Sequence, residues 1–178
     1  MVYKPKDDDT HASMNNVNFY EERTVKWDDS SQSVILIDQS RLPSSLELIK
    51  CSSVPELVEA IRMLKIRGAP AIGVAAAMGV ALATVRSDAR TKSELFEAIA
   101  EDAASLKSAR PTAINLSWGV NQALQFIESE QSDITQLRAQ LIDYVKHLAD
   151  EDVATNKRLS DLGAKLFRTG ESVLTHCN

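Results

Sequence analysis

The apolar positions of the chain follow two different periods, and the switch falls just after Cys51. Before it, the stretches Thr24–Trp27, Val34–Asp38 and Leu46–Cys51 have the length and pattern of strands. The polar run Asp28-Asp29-Ser30-Ser31-Gln32-Ser33 predicts a hairpin loop between the first two. After Cys51 the apolar residues recur at helical spacing. Ser53 and Glu56 form a capping-box pair with Pro55 in the first turn, and Leu57, Ile61 and Leu64 follow on one face. That helix is expected to end near Arg67-Gly68. A second helix, Pro70 to Val85, is apolar on nearly every side, so it should be the central and most buried element. Its small residues Gly73, Ala76, Ala77, Gly79 and Ala83 would let neighbouring backbones come close.

Thr91-Lys92-Ser93-Glu94 caps a third helix, with Leu95, Ile99, Ala103 and Leu106 inward. A fourth is expected from about Thr112 to Glu130, burying Leu116, Val120, Ala123 and Ile127. The last runs from about Asp133 to Arg168. Ile134, Leu137, Leu141, Val145 and Leu148 form its first stripe, and Leu159, Leu162 and Leu166 its second. Asp152 and Asn156 fall between them at a spacing of four, which reads as a kink or a satisfied polar pair. Gly170 supplies a helix stop, and Glu171 to Cys177 look like a strand beginning. Residues 1–16 are polar, acidic and without period, and are expected to form a mobile tail. The expected division is a tail over 1–16, a sheet and helical domain over 17–131, a long connecting helix over 132–170, and a first strand of something further over 171–178. A chain that stops on such a strand looks cut off.

The chain has 178 residues and 19.6 kDa, enough for about 70 % of its unfolded surface to be buried. Twenty Lys+Arg against 25 Asp+Glu give −5, with no basic block, which argues against nucleic acid as a partner. Cys51 and Cys177 cannot make a disulfide framework, and no signal peptide is evident, so the expected compartment is cytoplasmic. The apolar run Ala69 to Val85 reads as too short and too weakly hydrophobic for a membrane span. No Walker A loop is present, and no His/Cys/Asp/Glu cluster has metal-ligand spacing.

Two places repeat one arrangement. Arg67 precedes Gly68-Ala69-Pro70 at a helix start, and Arg110 precedes Pro111-Thr112 at another. A helix N-terminus offers unpaired N–H groups and partial positive charge, and a guanidinium adds a bidentate donor. Gly68 lets a ligand approach the backbone. Together these would cradle a phosphate; the competing reading makes each Arg a C-terminal helix cation and each Pro punctuation. Cys177 ends an apparent strand, where open α/β sheets place ligands and a following helix would favour the thiolate; otherwise it is a small buried hydrophobe. Cys51, Trp27 and Trp118 read as packing residues, and His11 and His147 as surface residues. His176 points to the strand face opposite Cys177.

Ile66-Arg67-Gly68-Ala69-Pro70-Ala71-Ile72-Gly73, Arg110-Pro111-Thr112-Ala113-Ile114-Asn115-Leu116-Ser117-Trp118-Gly119 and Leu174-Thr175-His176-Cys177-Asn178 occur in that order. They resemble the methylthioribose-1-phosphate isomerases, within the family of the translation initiation factor 2B alpha, beta and delta subunits. Thr24-Val25-Lys26-Trp27-Asp28-Asp29, Leu36-Ile37-Asp38-Gln39, Asp152, Asn156 and Gly163-Ala164 are also similar to it. The resemblance implies an α+β fold: a small N-terminal antiparallel sheet plus a helical bundle, its long last helix leading into the first strand of a Rossmann-like domain, truncated here. It implies that Arg67, Gly68, Ala69 and Arg110 bind substrate and that Cys177 is catalytic. A catalytic Asp and an Asn-Lys pair lie farther on in the family, so this chain alone is expected to be inactive. The implied reaction is the aldose–ketose conversion of 5-methylthioribose 1-phosphate in methionine salvage. It implies a phosphorylated pentose as substrate, no cofactor or metal, no membrane, and a homodimer at full length. Ribose-1,5-bisphosphate isomerase and a non-catalytic regulatory subunit are the alternatives within the same family.

Overall fold

The computed structural model describes residues 22–174. Three strands, β1 (Val25–Asp28), β2 (Ser33–Ile37) and β3 (Leu48–Cys51), make an antiparallel sheet in the order β1-β2-β3. Val25 pairs with Leu36, and Leu36 with Ile49. The β1–β2 loop closes on Asp28, whose carboxylate accepts from the Ser30 hydroxyl and the Ser31 amide and hydroxyl. Those hydrogen bonds stabilise the ionised form and lower its pKa. After β2, a 3-10 turn η1 (Gln39–Arg41) is capped by Asp38, whose carboxylate accepts from the Ser40 amide at 3.0 Å.

Five helices follow among the described residues: α1 (Val54–Arg62), α2 (Ala69–Arg86), α3 (Lys92–Ser108), α4 (Ile114–Ser129) and α5 (Ile134–Ala164). The mixed α+β architecture expected from the sequence is present. The helix α2 is its centre: every residue from Ile72 to Thr84 is buried, against the sheet on one side and the other four helices around it. Its length and hydropathy meet the requirement for crossing a bilayer, which the sequence reading placed it below, yet 72 % of it is buried in protein. Leu95, Ile99, Ala103 and Leu106 of α3, and Leu116, Val120, Ala123 and Ile127 of α4, are all buried as expected.

Two glycines set how closely α2 and α4 pack. A Cβ on Gly119 would stand 2.0 Å from the Gly73 carbonyl oxygen, so the two backbones touch there. Gly79 meets the Leu106 and Leu57 side chains with similarly little room, its Cβ position 2.8 Å from Leu106 Cδ1.

Several boundaries differ from expectation. The first helix ends at Arg62 rather than near Arg67-Gly68. Leu64 takes φ +57°, its N–H bonds to the Ile61 carbonyl, and the Lys65 N–H bonds to that of Ala60. That pair closes a Schellman motif with leucine where glycine is usual, so Leu64 is 43 % exposed instead of facing inward. The fourth helix starts at Ile114, two residues later than Thr112, because a turn from the Arg110 carbonyl to the Ala113 N–H precedes it. Gly170 is not the stop of α5. The helix ends at Ala164, and Gly170 (φ +93°) sits in a later turn.

The long helix α5 divides at Ala149. Leu137, Leu141, Val145 and Ala149 are buried, whereas Leu159, Leu162 and, just past the helix end, Leu166 are 64–79 % exposed. The second stripe continues the face of the first, but α5 has by then passed the end of the bundle. Asp152 and Asn156 therefore satisfy each other at its edge: the Asn156 amide donates to the Asp152 carboxylate at 3.0 Å and to its carbonyl at 2.9 Å. Residues 171–174 form no strand; Leu174 is 97 % exposed, and a strand needs a hydrogen-bonding neighbour. Trp27 is buried, but Trp118, expected to pack, is 44 % exposed, with one ring edge against Gly73.

Candidate functional site: a cleft between two helix starts

The close contact of Gly73 with Gly119 draws the starts of α2 and α4 together. Between them lies a cleft of about 350 Å³ lined by residues 64, 67–69 and 72 on one side and 110 and 112–115 on the other. Arg67, Gly68, Ala69 and Arg110 thus meet at one cavity, the arrangement that a shared cradle would need. Arg67 is exposed and Arg110 half-buried. Arg67 lies five residues beyond the end of α1, and Arg110 directly follows Ala109, the C-cap of α3; each stands on the approach to the next helix.

How the helices begin sets the chemistry. At α1, α3 and α5 a side chain occupies the N-terminal donors. Ser53 accepts from Glu56, Thr91 from Glu94 in a full capping box, and Asp133 from Thr135 and Gln136. At α2 and α4 the N-cap residues are Gly68 and Ala113, and neither supplies a side-chain hydrogen bond. These two uncapped ends are the ones that open on the cleft. Helix starts of this kind carry about half a positive charge and aim N–H groups outward. With two guanidinium groups beside them, the cleft is built for an anion with several acceptor oxygens. Gly68 has φ +92° and no heavy atom within 4 Å of a would-be Cβ, so its backbone is open to close approach.

Leu64, Ile72, Thr112, Ala113, Ile114 and Asn115 also line the cleft, and none of them stood out from the sequence as a site residue. Ile72 lies inside the first motif and the last four inside the second, which was the available signal. A larger cleft of about 650 Å³ lies between α4 and α5 and shares Asn115. No Arg or Lys lines it, and Glu151 and Asp152 do. Burial raises the Asp152 pKa against the opposing Asn156 hydrogen bond. Its His147 sits 3.3 Å from Glu151. Its charge is wrong for a phosphate despite its size. Cys51 is buried, and burial, then the nearby Glu56 carboxylate, push its thiol up to about 11, leaving a neutral packing group. Cys177, His176 and His11 lie outside the described residues. Among the described residues no three His, Cys, Asp or Glu side chains are grouped to hold a metal.

Comparisons with known proteins show the family of the chain. The Initiation factor 2 subunit family matches residues 65–178, and the chain belongs to that family. A putative methylthioribose-1-phosphate isomerase of Methanosarcina acetivorans is 42 % identical over 156 residues, covering 88 % of this chain and 44 % of its own length. The 5-deoxyribose 1-phosphate isomerase of Moorella thermoacetica is 39 % identical over 86 % of this chain and 44 % of its own length. Among solved structures, 5-methylthioribose 1-phosphate isomerase from Pyrococcus horikoshii superposes with a TM-score of 0.75 at 36 % identity, covering 82 % of this chain and 40 % of that one. The translation initiation factor eIF-2B subunit delta from A. fulgidus gives 0.76 at 39 % identity, covering 88 % and 45 %. The chain therefore spans less than half the length of the relatives it matches.

Proposed function

We propose that this chain supplies the phosphate-anchoring part of a sugar-phosphate aldose–ketose isomerase acting on 5-methylthioribose 1-phosphate. One observation carries the reading: Arg67, Arg110 and the two uncapped helix starts line a single cleft. The names of the relatives support the substrate class. In that reaction the furanose ring opens with a proton delivered to the ring oxygen, a proton leaves carbon 2 and is returned to carbon 1, and the carbon-2 hydroxyl gives up its proton as the ketone forms. The cleft residues of this chain hold the phosphate and exclude water beside it. Cys177 takes and returns the proton, and the acid at the ring oxygen belongs to a second, Rossmann-like domain that residues from 171 on lead into. The chain by itself binds and does not turn over.

Binding of 5-methylthioribose 1-phosphate against unphosphorylated 5-methylthioribose tests the anchoring role. The phosphorylated sugar should bind at least tenfold more tightly, and Arg110→Ala should erase the difference. Equal affinity for the two sugars contradicts the reading. For the chemistry, the chain is joined to the downstream half of the Methanosarcina acetivorans relative; turnover should appear, and Cys177→Ala should lower kcat far more than it raises KM. Near-normal turnover of that variant removes Cys177 from the mechanism. The likeness to the A. fulgidus translation initiation factor eIF-2B delta subunit is the ground for a second reading, a regulatory subunit. A chain of that kind would bind neither sugar.

A further inference from the structure

The Leu36-Ile37-Asp38-Gln39 stretch ends in a residue that neither the sheet nor the cleft explains. Gln39 does not line the cleft, yet it makes two hydrogen bonds to the segment that does. Its backbone N–H donates to the Lys65 carbonyl at 2.8 Å, and its side-chain Nε2 donates to the Arg67 carbonyl at 3.3 Å. The segment between α1 and α2 needs such a tether. It contains Leu64 at φ +57° and Gly68 at φ +92°, two left-handed positions within five residues, the first unfavourable for any residue with a Cβ. Ile66 anchors its middle by complete burial. Gln39 is itself held in place, since the carboxylate of Asp38 caps the turn it begins and the Asp38 N–H bonds to the Glu47 carbonyl at 2.8 Å.

The Arg67 carbonyl belongs to the same planar peptide group as the Gly68 N–H. In a trans peptide the two point in opposite directions. A donor that holds the carbonyl on one side therefore directs the N–H to the other. Gln39 stands on the carbonyl side, and the cleft is lined by Gly68 but not by Gln39. We propose that Gln39 is a positioning residue that fixes the Arg67–Gly68 peptide so that the Gly68 N–H is presented as a donor to the anion in the cleft. Because its contact is with a main-chain carbonyl of the turn, Gln39 acts on the anion site without touching the anion. The inference rests on the phosphate reading of the cleft.

The test is a titration of the 178-residue chain with inorganic phosphate, followed by amide NMR, for the wild type, Gln39→Ala, Gln39→Glu and Arg110→Ala. Glutamate keeps the length of glutamine but has no proton to give the Arg67 carbonyl; alanine removes the tether without adding charge. The backbone bond from residue 39 to Lys65 survives in both. Both variants should shift the Gly68 amide resonance before any phosphate is added and should reduce its phosphate-induced shift. Both should weaken phosphate binding by about tenfold. Melting temperature should stay within about 2 °C of wild type, since one half-exposed hydrogen bond is lost. Arg110→Ala should weaken binding while leaving the Gly68 resonance of the free protein in place. A wild-type phosphate response that Gln39→Ala leaves unchanged overturns the assignment of Gln39 alone. A wild-type chain with no phosphate response overturns the cleft reading and the role of Gln39 with it.

Discussion

The two ends of α2 are treated in opposite ways. At its C-terminal end the carbonyls are met by Arg138 of α5, which donates to Thr84 at 3.1 Å, Ser87 at 2.7 Å and the following Ala89 at 2.8 Å. A cation there answers both the orphan carbonyls and the negative end of the helix dipole. At its N-terminal end no side chain caps the helix, the preceding glycine is left-handed, and Pro70 in the first turn removes one donor outright. The same contrast separates α4 from α1, α3 and α5. Where a helix start serves only stability, this chain places a Ser, Thr or Asp on it. Where two starts face one cleft, the caps are missing and arginines stand beside them. The exposed donors are what the fold gives up locally and what an anion can use.

Gly119→Ala should break the comparison most severely. Its Cβ would overlap the Gly73 carbonyl, so α2 and α4 must separate, with a loss of about 3 kcal/mol or more in urea unfolding and no phosphate binding. Arg110→Ala should lower phosphate affinity by more than tenfold while changing stability by under about 0.5 kcal/mol, as calorimetry and thermal melts would read. Ala113→Asp sharpens the contrast by giving α4 the cap it lacks. Stability should rise by up to about 1 kcal/mol while phosphate binding falls, because the new carboxylate takes the same donors. Thr91→Ala should do the reverse at α3, costing about 1 kcal/mol with phosphate binding unchanged.

The smallest effect is at Cys51, which ends β3 and does not line the cleft. Its folded pKa, about 11, lies above its ordinary value of 9.0, so folding favours the neutral thiol. That contribution is complete below the unfolded pKa and is lost as pH rises from about 9 to 11, so the urea midpoint should decline over that range. A Cys51→Ala chain should show a shallower decline, and native Cys51 should resist iodoacetamide at neutral pH.

Much of this was legible in the sequence because it is local. The inward faces of α3 and α4 follow from period alone, and the Thr91–Glu94 box marks its helix start to the residue. That Arg67 and Arg110 each precede a helix start was legible, but a shared cleft was only one of two readings the spacing left open, because the side-by-side packing of those starts depends on Gly73 meeting Gly119. What escaped depends on distant partners. The end of α1 was misplaced because leucine, not glycine, occupies its left-handed closing position. The role of Gly119 exists only opposite Gly73, and that of Gln39 only opposite a turn 28 residues away. The stripe Leu159, Leu162 and Leu166 has regular helical spacing and is exposed, because period reports which face is apolar and not whether anything lies against it.

The most direct test follows backbone amides at all five helix starts during a titration with inorganic phosphate. The account predicts that Gly68, Ala69 and Ala71 of the α2 start and Ile114 and Asn115 of the α4 start move together, with one half-saturation point. Glu56, Glu94 and Thr135, whose helices are capped by their own side chains, should stay still. Shifts spread evenly over the five starts, or confined to one of the two uncapped ends, would contradict a single anion site shared between α2 and α4.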